Sequence, residues 1–283
     1  MKIARYEHAG QERLGIVSGN GLVEIARHFP EAPRDMIALM ESFDALRGDL
    51  TLCESRPPDV DLGAVTLLSP VKRPGKIMGI GLNYADHVAE SGMEMPADQL
   101  WFSKAATAIN GPFGTLHVPR VSDALDYEVE LVIVIGRKCR YVSREDAKSV
   151  IFGYCVGNDA TVRDWQFKTS QFVLGKSFDT TAPVGPWIVT ADALDPAELE
   201  VSLKVNGELR QHSNTRHLIF DCASMIEHLS KAMTLEPGDL LFTGTPSGVG
   251  AVMKPPKWLR EGDLVRAEIE GIGAIENRVT REP

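Results

Sequence analysis

Apolar and polar positions alternate in three short segments near the start of the chain, Lys2–Tyr6, Arg13–Val17 and Gly21–Ile25. Alternation with a period of two predicts β-strands, and the glycines between the segments are typical of turns. Two other stretches, one near Arg34–Ala45 and one at Asp221–Met233, have apolar residues at helical spacing. We therefore expect a helix in each of these two stretches, the second ending before a Pro-Gly pair.

The polar, proline-containing segment Glu54–Pro58 favours a connector between two units. From there on, strand-like segments predominate, and Asn206-Gly207 and Gly271–Gly273 predict the turns of two hairpins. Long helices do not alternate regularly with the strands, which argues against a doubly wound nucleotide-binding sheet. We predict a β-rich α+β protein, with a small N-terminal α/β domain over residues 1–70 and a larger domain over residues 71–283.

Composition narrows the class of protein. The chain has 283 residues, 43% of them hydrophobic, and a net charge of -9, which excludes bulk disorder and argues against nucleic acid as the main partner. No apolar run is long enough to span a membrane, and the first residues do not resemble a signal peptide, so we expect a cytoplasmic protein. The four cysteines form no CxxC pair, which makes a zinc knuckle or a disulfide framework a poor fit.

The segment from Asp126 to Gly136 is the sharpest chemical signal. Its β-branched residues predict a strand that is buried on both faces, with Glu128 and Glu130 on the same face. Two buried carboxylates need compensation, which a divalent cation supplies, and Asp159 at the end of the next apolar run offers a third oxygen ligand. The alternative is an edge strand with two solvated glutamates and Asp159 as a helix cap.

Two further clusters could act on a ligand. His87 and Glu90 are three residues apart, so on a helical turn they share a face and could form a general base, or simply a surface pair. The preceding glycines fail as a dinucleotide fingerprint because Tyr84 stands where the third glycine belongs. Gly92–Leu100, which contains Gly and Pro, is a candidate lid.

Positive charge follows Asp159 in the form of Arg163 and Lys176, with Gln166 between them; these residues could reach an anionic ligand or could be solvated. Lys176 is not in a phosphate-binding loop, because the required upstream glycine is missing. The string from Gly244 to Gly250 lacks a lysine, and we expect a tight turn whose backbone amides face a pocket.

Taken together, the chain resembles the fumarylacetoacetate hydrolase family over roughly residues 76–279. The resemblance rests on strings that occur in that family's order: GLNYADHVAE, DYEVELVIVIG, GNDATVRDWQ, GKSFDTTAPVGPW, VNGELRQ, LEPGDLLFTGTPSGVG and GDLVRAEIEGIG. It implies a mixed β-roll or β-sandwich catalytic domain, a Mg²⁺ or Mn²⁺ site and a homodimer.

The resemblance also implies roles for individual residues. These are metal binding by Glu128, Glu130 and Asp159, catalysis by His87, Glu90 and Lys176, and substrate binding by Arg163, Gln166, Tyr84 and Thr245. The implied activity is hydrolysis of a C–C bond in a 2,4-diketo acid, such as an acylpyruvate or a 2,4-diketo-3-deoxy sugar acid, to pyruvate and a carboxylic acid. Decarboxylation of oxaloacetate, isomerisation of a hydroxymuconate-type diacid and non-catalytic binding of a 2-oxo acid are the alternatives.

Overall fold

The computed structural model describes residues 1–92 and 94–283. Strands make up most of its regular structure. They are β1 (Lys2–His8), β2 (Gln11–Ser18), β3 (Gly21–Glu24), β4 (Val60–Asp61), β5 (Thr66–Leu68), β6 (Ile77–Gly81), β7 (Leu100–Lys104), β8 (Ile109–Asn110), β9 (Leu116–Val118), β10 (Leu125–Asp126), β11 (Val129–Ile135), β12 (Ile151–Asn158), β13 (Thr161–Val162), β14 (Ala182–Thr190), β15 (Glu200–Val205), β16 (Glu208–Asn214), β17 (Leu240–Phe242), β18 (Leu264–Ile269) and β19 (Gly273–Arg281).

The α-helices are short and connect the strands. They are α1 (Ile25–His28), α2 (Met36–Glu41), α3 (Phe43–Cys53), α4 (Ala85–Ser91), α5 (Arg163–Gln166) and α6 (Cys222–Ala232). Single 3-10 turns occupy Leu62–Ala64, Ala106–Ala108, Ala147–Val150, Pro196–Glu198, Thr215–His217 and Gly250–Val252. Within the described residues, no helix has the length and apolar character that crossing a membrane requires.

Both predicted helices are present, but their ends were predicted with different accuracy. The second is α6, and the Asp221 side chain caps it by accepting from the Ser224 N–H at 2.9 Å. The first is divided into α2 and α3, and it continues to Cys53, beyond the predicted end. Asp35 caps α2 by accepting from two N–H groups of its first turn, and such a cap defines a helix start better than periodicity defines its end.

Two sheets contain all the strands except β10 and β13, which pair with each other. The larger one has the order β4-β3-β2-β1-β14-β12-β11-β17-β6-β7, with β5 beside β1 and β8 beside β14. The smaller one has the order β16-β15-β18-β19-β9. The strands of residues 1–70 join the larger sheet through the antiparallel pairing of β1 with β14, and a separate N-terminal domain over these residues stays a prediction.

Strand β11 lies between two hydrophobic cores, as the sequence predicted. Leu131, Ile133 and Ile135 face the core that contains the apolar residues of β15, β18 and α6. Val132 and Val134 face the other core, which contains the apolar residues of α2 and α3. Because side chains alternate along a strand, Glu128 and Glu130 belong to this second face.

The two predicted hairpins are also present. Asn206 and Gly207 have φ values of 52° and 82° between β15 and β16, as a type I′ turn requires. The turn at Gly271–Gly273 joins β18 to β19. The β-rich α+β fold predicted from the sequence is therefore confirmed.

Candidate metal and substrate site

Three carboxylates meet where β11 and β12 lie side by side. The strands are antiparallel with Val129 opposite Asn158, which brings Asp159 next to Glu128. The Asp159 N–H donates to the Glu128 carbonyl at 2.8 Å, and the Glu128 N–H donates to Asn158 Oδ1 at 2.9 Å. One carboxylate oxygen from each of Glu128, Glu130 and Asp159 lies within 4.8 Å of the other two, and all three residues are buried. The alternative of solvated glutamates on an edge strand is therefore wrong.

Two buried lysines neutralise part of this negative charge. Lys176 Nζ lies 2.6 Å from both Glu128 Oε2 and Asp159 Oδ2. Lys104 Nζ lies 2.6 Å from Asp159 Oδ1 and donates to the Ala160 carbonyl at 3.1 Å. Burial lowers the pKa of Lys104, whereas Asp159 and Glu128 overcome the effect of burial at Lys176 and raise its pKa.

A buried arginine adds a third cation and fixes its neighbours. Arg163 donates through Nε to Asp126 Oδ2 at 2.8 Å, through Nη2 to Glu128 Oε1 at 2.6 Å and through Nη1 to Gln166 Oε1 at 2.9 Å. Asp126 also accepts from the Gly250 N–H at 2.8 Å. The guanidinium is therefore held in one orientation, and the alternative of a solvated basic pair formed by Arg163 and Lys176 is wrong.

The two glutamates of the triad have opposite charge environments. Burial opposes ionisation of Glu128, but Lys176 and Arg163 lower its pKa to about 2. Burial, Asp159 and Glu128 together raise the pKa of Glu130 well above its usual range. Within the described part of the chain, no lysine or arginine forms an ion pair with Glu130.

These residues fit a divalent cation. A cation among the three carboxylates would supply the positive charge that Glu130 lacks and would remove the mutual repulsion that raises its pKa. The donors are all carboxylate oxygens, with no sulfur or imidazole in the group. Such a set suits a hard ion such as Mg²⁺ or Mn²⁺.

A tight turn after β17 holds Glu130 from its other side. The Gly244 N–H donates to Glu130 Oε2 at 2.7 Å. Gly244 has a φ of +95°, and a Cβ there would lie 2.7 Å from Asn83 Cβ, so both the backbone and the available space require glycine. The Thr245 hydroxyl donates to the Val129 carbonyl at 3.0 Å. The predicted turn is confirmed, and one of its amides positions a triad carboxylate.

His87 and Glu90 share one face of α4, as predicted, but they are not hydrogen-bonded. His87 Nδ1 lies 3.6 Å from Glu90 Oε2, and no hydrogen-bond partner of this nitrogen is present among the described residues. The Glu90 carboxylate instead accepts from the Gly248 N–H, at 2.9 and 3.1 Å. The Ser247 hydroxyl donates to Asp86 Oδ2 at 3.2 Å, which further ties α4 to this turn.

A cavity of about 170 Å³ brings most of the predicted residues together. Its polar lining consists of His87, Glu128, Glu130, Arg163, Gln166, Lys176 and Thr245. A larger cleft of about 720 Å³ lies between α2, α3 and the first residues of β12, and its lining includes none of the predicted site residues. Of the two, only the smaller cavity is lined by carboxylates of the triad, Glu128 and Glu130, together with a histidine, so the chemistry is assigned to it.

Tyr84 lies outside the lining of this cavity. It is fully buried, and its hydroxyl has no hydrogen-bond partner in the described structure. Burial and the nearby Glu130 raise its pKa. Substrate binding by Tyr84 stays a prediction.

The candidate lid, Gly92–Leu100, is anchored at its end. Gln99 Nε2 donates to the Ser224 carbonyl at 3.1 Å, and Leu100 begins β7 opposite Gly81. Met93 lies outside the described residues. Closure of this segment over the cavity stays a prediction.

Lys104 and Asp126 are the charged residues that sequence reasoning missed. Asp126 begins the string that contains Glu128 and Glu130, so its alternation with the two glutamates was a usable signal. Lys104 stands among ordinary strand residues, and only the pairing of β6 with β7 brings it to Asp159.

The chain is similar to known proteins over most of its length. The family model described as Fumarylacetoacetate (FAA) hydrolase C-terminal matches residues 76–280. The oxaloacetate tautomerase FAHD2B, mitochondrial, of Bos taurus is 39% identical over 292 residues, covering 99% of this chain and 91% of the relative.

The solved structures that cover the whole of this chain include the following two. The maleylpyruvate hydrolase of Sphingobium sp. SYK-6, in complex with manganese(II) ion and pyruvate, is 36% identical with a TM-score of 0.85 and is itself covered to 100%. The 2-hydroxyhepta-2,4-diene-1,7-dioate isomerase of Mycobacterium marinum is 35% identical with a TM-score of 0.80 and is covered to 99%.

Proposed function

Because the chain belongs to the fumarylacetoacetate hydrolase family, we propose that it is a divalent-metal-dependent hydrolase that cleaves an acylpyruvate to pyruvate and a carboxylic acid. The observation that carries the proposal is the buried triad of Glu128, Glu130 and Asp159 in one group, with His87 lining the same cavity as the two glutamates. A 2-oxo acid can chelate a cation through its keto oxygen and its carboxylate. The relative with bound manganese and pyruvate supports a metal and a 2-oxo acid at such a site.

Each group of the site has a chemical task in this reaction. A Mg²⁺ or Mn²⁺ ion held by the triad would supply Lewis acidity that stabilises negative charge on the 2-oxo end of the substrate. His87, with Glu90 next to it, takes a proton from water as the water oxygen bonds to C4 of the 2,4-diketo acid. Lys176 has three N–H donors and uses two on carboxylates, which leaves one for the oxygen that becomes negative at C4.

The remaining steps balance the reaction. The C3–C4 bond breaks with its electron pair on C3, and C4 becomes the carboxyl carbon of the released acid. The proton held by His87 returns to C3, which gives pyruvate. Arg163 and Gln166 line the cavity beside the triad and orient the substrate carboxylate.

Interconversion of the enol and keto forms of oxaloacetate is the second candidate, and the 39% identity to an oxaloacetate tautomerase over 99% of the chain favours it. The same His87 could move a proton between C3 and the enol oxygen, without a water attack. Decarboxylation of oxaloacetate would use the same site. The cytoplasmic location stays a prediction from the sequence, and the homodimer stays an expectation from the family resemblance.

The discriminating experiment is a turnover panel with Mg²⁺, before and after treatment with EDTA. The substrates are acetylpyruvate, maleylpyruvate, a 2,4-diketo-3-deoxy sugar acid and oxaloacetate, and the readouts are pyruvate, CO₂ and enol absorbance. EDTA-sensitive pyruvate without CO₂ from a diketo acid supports the hydrolase. Faster loss of enol-oxaloacetate absorbance alone identifies the tautomerase, and CO₂ from oxaloacetate identifies the decarboxylase. No turnover of any substrate contradicts these three reactions and leaves an isomerase of a hydroxymuconate-type diacid or a 2-oxo acid binding protein.

A further inference from the structure

Part of the cavity's lining is apolar and partly exposed to solvent. The larger partly exposed apolar side chains, here called the outer wall, are Leu82, Leu100, Phe102, Phe167, Phe172 and Val252. Leu100 is 41% exposed and Phe167 is 67% exposed. Exposed apolar residues that line one depression are typical of a ligand-binding surface. The catalytic roles described above use none of these side chains.

Two glycines create the space for this wall. In the pairing of β6 with β7, Gly79 lies opposite Phe102 and Gly81 lies opposite Leu100. A Cβ on Gly79 would lie 2.4 Å from Phe102 Cζ, and one on Gly81 would lie 3.2 Å from Leu100 Cδ2. The glycines therefore let two large apolar side chains lie across β6, which explains a motif that resembles a dinucleotide fingerprint without acting as one.

The aromatic residues of the wall connect it to the charged half of the cavity. The Phe102 and Phe172 ring centroids are 6.1 Å apart with the rings tilted by 60°. Lys176 Nζ lies 4.8 Å from the centroid of the Phe102 ring, a cation–π contact. A ligand held at the triad can therefore continue directly along Phe102 into the outer wall.

Among the described lining residues, the outer wall contains no cation for a second carboxylate. The lysine and the arginine of the lining, Lys176 and Arg163, are buried and paired with Glu128 and with other acidic groups of the site. A carboxylate on the far end of a substrate would therefore lose its hydration against apolar side chains without gaining an ion pair.

We propose that the outer wall binds the acyl group of the substrate and selects an apolar one, an alkyl or aryl chain, over an acyl group that ends in a carboxylate. The inference deepens the proposed function and rests on it for the identity of the ligand. Each methylene that contacts the wall is expected to strengthen binding about fourfold. The acyl groups of hydroxyl-rich sugar acids and of dicarboxylic diketo acids are not expected to strengthen binding through contact with the wall.

Binding measured without turnover tests the subsite apart from the reaction. The ligands, 2-oxooctanoate and 2-oxooctanedioate, have the same 2-oxo acid head and the same chain length, and only the second ends in a carboxylate. In calorimetric titrations of the protein with Mg²⁺, we expect 2-oxooctanoate to bind about tenfold tighter or more. Equal affinity, tighter binding of the dioate or no binding of 2-oxooctanoate would overturn the proposal.

A charge placed on the wall gives a second test. Leu100→Arg is expected to reverse the preference, because the partly exposed position can hold a guanidinium within reach of the terminal carboxylate. Leu209→Arg, on β16 and 54% exposed, is the matched control and should leave the preference unchanged. Val252→Arg replaces Leu100→Arg if circular dichroism shows the latter unfolded. An unaltered preference in a folded wall variant contradicts the subsite.

The outcomes separate this inference from the proposed function. Preference for 2-oxooctanoate together with no cleavage of 2,4-dioxooctanoate, the matching alkyl acylpyruvate, supports the subsite and rejects the hydrolase. Hydrolysis of diketo acids with tighter binding of the dioate rejects the subsite and keeps the hydrolase.

Discussion

The two halves of the cavity differ in how their side chains are held. The inner half consists of the triad and the buried cations that are paired with it. There, Glu128, Asp159 and Arg163 each form two or more hydrogen bonds or ion pairs at 2.6–2.9 Å. In the outer wall, Leu100 and Phe167 are partly exposed and can interact only through apolar contact. We therefore expect the inner half to determine which reaction is possible and the outer wall to determine which acyl group binds more tightly.

The same contrast appears within the inner half, between two residues on one strand. Lys176 and Arg163 lower the pKa of Glu128, whereas the pKa of Glu130 is raised. Among the described residues, the Glu130 carboxylate accepts one hydrogen bond, from the Gly244 N–H. The protein's own cations therefore neutralise Glu128, and we expect an external cation to neutralise Glu130.

Replacing His87 should have the largest effect of the changes considered. The effect should be on turnover, which depends on the inner half, and not on metal binding. His87→Ala is expected to lower turnover by about 10²–10⁴-fold, because it removes the proton acceptor at the cavity. Metal binding should persist, since the triad does not include His87. The exposed helix residue His228 provides the matched control, His228→Ala, with unchanged kinetics. Wild-type turnover in His87→Ala would show that the cavity performs its chemistry without this imidazole.

Removing the buried cation Lys104 should lower the free energy of unfolding. Lys104→Met leaves one oxygen of Asp159 without its cation, and breaking a buried ion pair costs about 3–5 kcal/mol in the free energy of unfolding. Lys204→Met, at an exposed position of β15, should change stability by no more than about 0.5 kcal/mol. Urea unfolding of both variants measures the difference. Equal stability of the two variants would mean that the contact between Lys104 and Asp159 contributes nothing.

A smaller effect should come from filling the space beneath the outer wall. Gly79→Ala forces the Phe102 ring to move, which should cost about 1–3 kcal/mol in the free energy of unfolding and weaken binding of 2-oxooctanoate. Gly63→Ala is the control, because a Cβ there meets no atom within 4 Å. A stabilised Gly79→Ala would follow ordinary strand propensity and would contradict the idea that the glycine is needed for Phe102.

Most of the inner half was predictable because its signals are local. The alternation from Tyr127 to Ile135 gave the two faces of β11, and the placement of Glu128 and Glu130 on one face followed from it. The partners that set the charges are not local: Lys104 comes from a strand two positions further along the sheet than β17. Periodicity describes one element at a time and cannot predict such pairing.

The outer wall and the pair formed by His87 and Glu90 show other limits of prediction from the sequence. The two glycines of β6 are conspicuous in the sequence. The space that they leave for side chains of β7 depends on the register between the two strands, which no local pattern specifies. The spacing of His87 and Glu90 correctly predicted a shared helical face. It could not predict that the Gly248 amide, from a turn far along the chain, would take the carboxylate.

Binding of Mn²⁺ to the chain and to Glu130→Gln, followed by electron paramagnetic resonance, tests the central claim most directly. Glutamine keeps an oxygen for the Gly244 N–H and resembles the protonated glutamate, so the fold should persist. We predict one tight Mn²⁺ per wild-type chain and per Glu261→Gln control chain, with affinity at least about tenfold weaker in Glu130→Gln. Equal Mn²⁺ affinity in Glu130→Gln and wild type would contradict a metal site built on this triad.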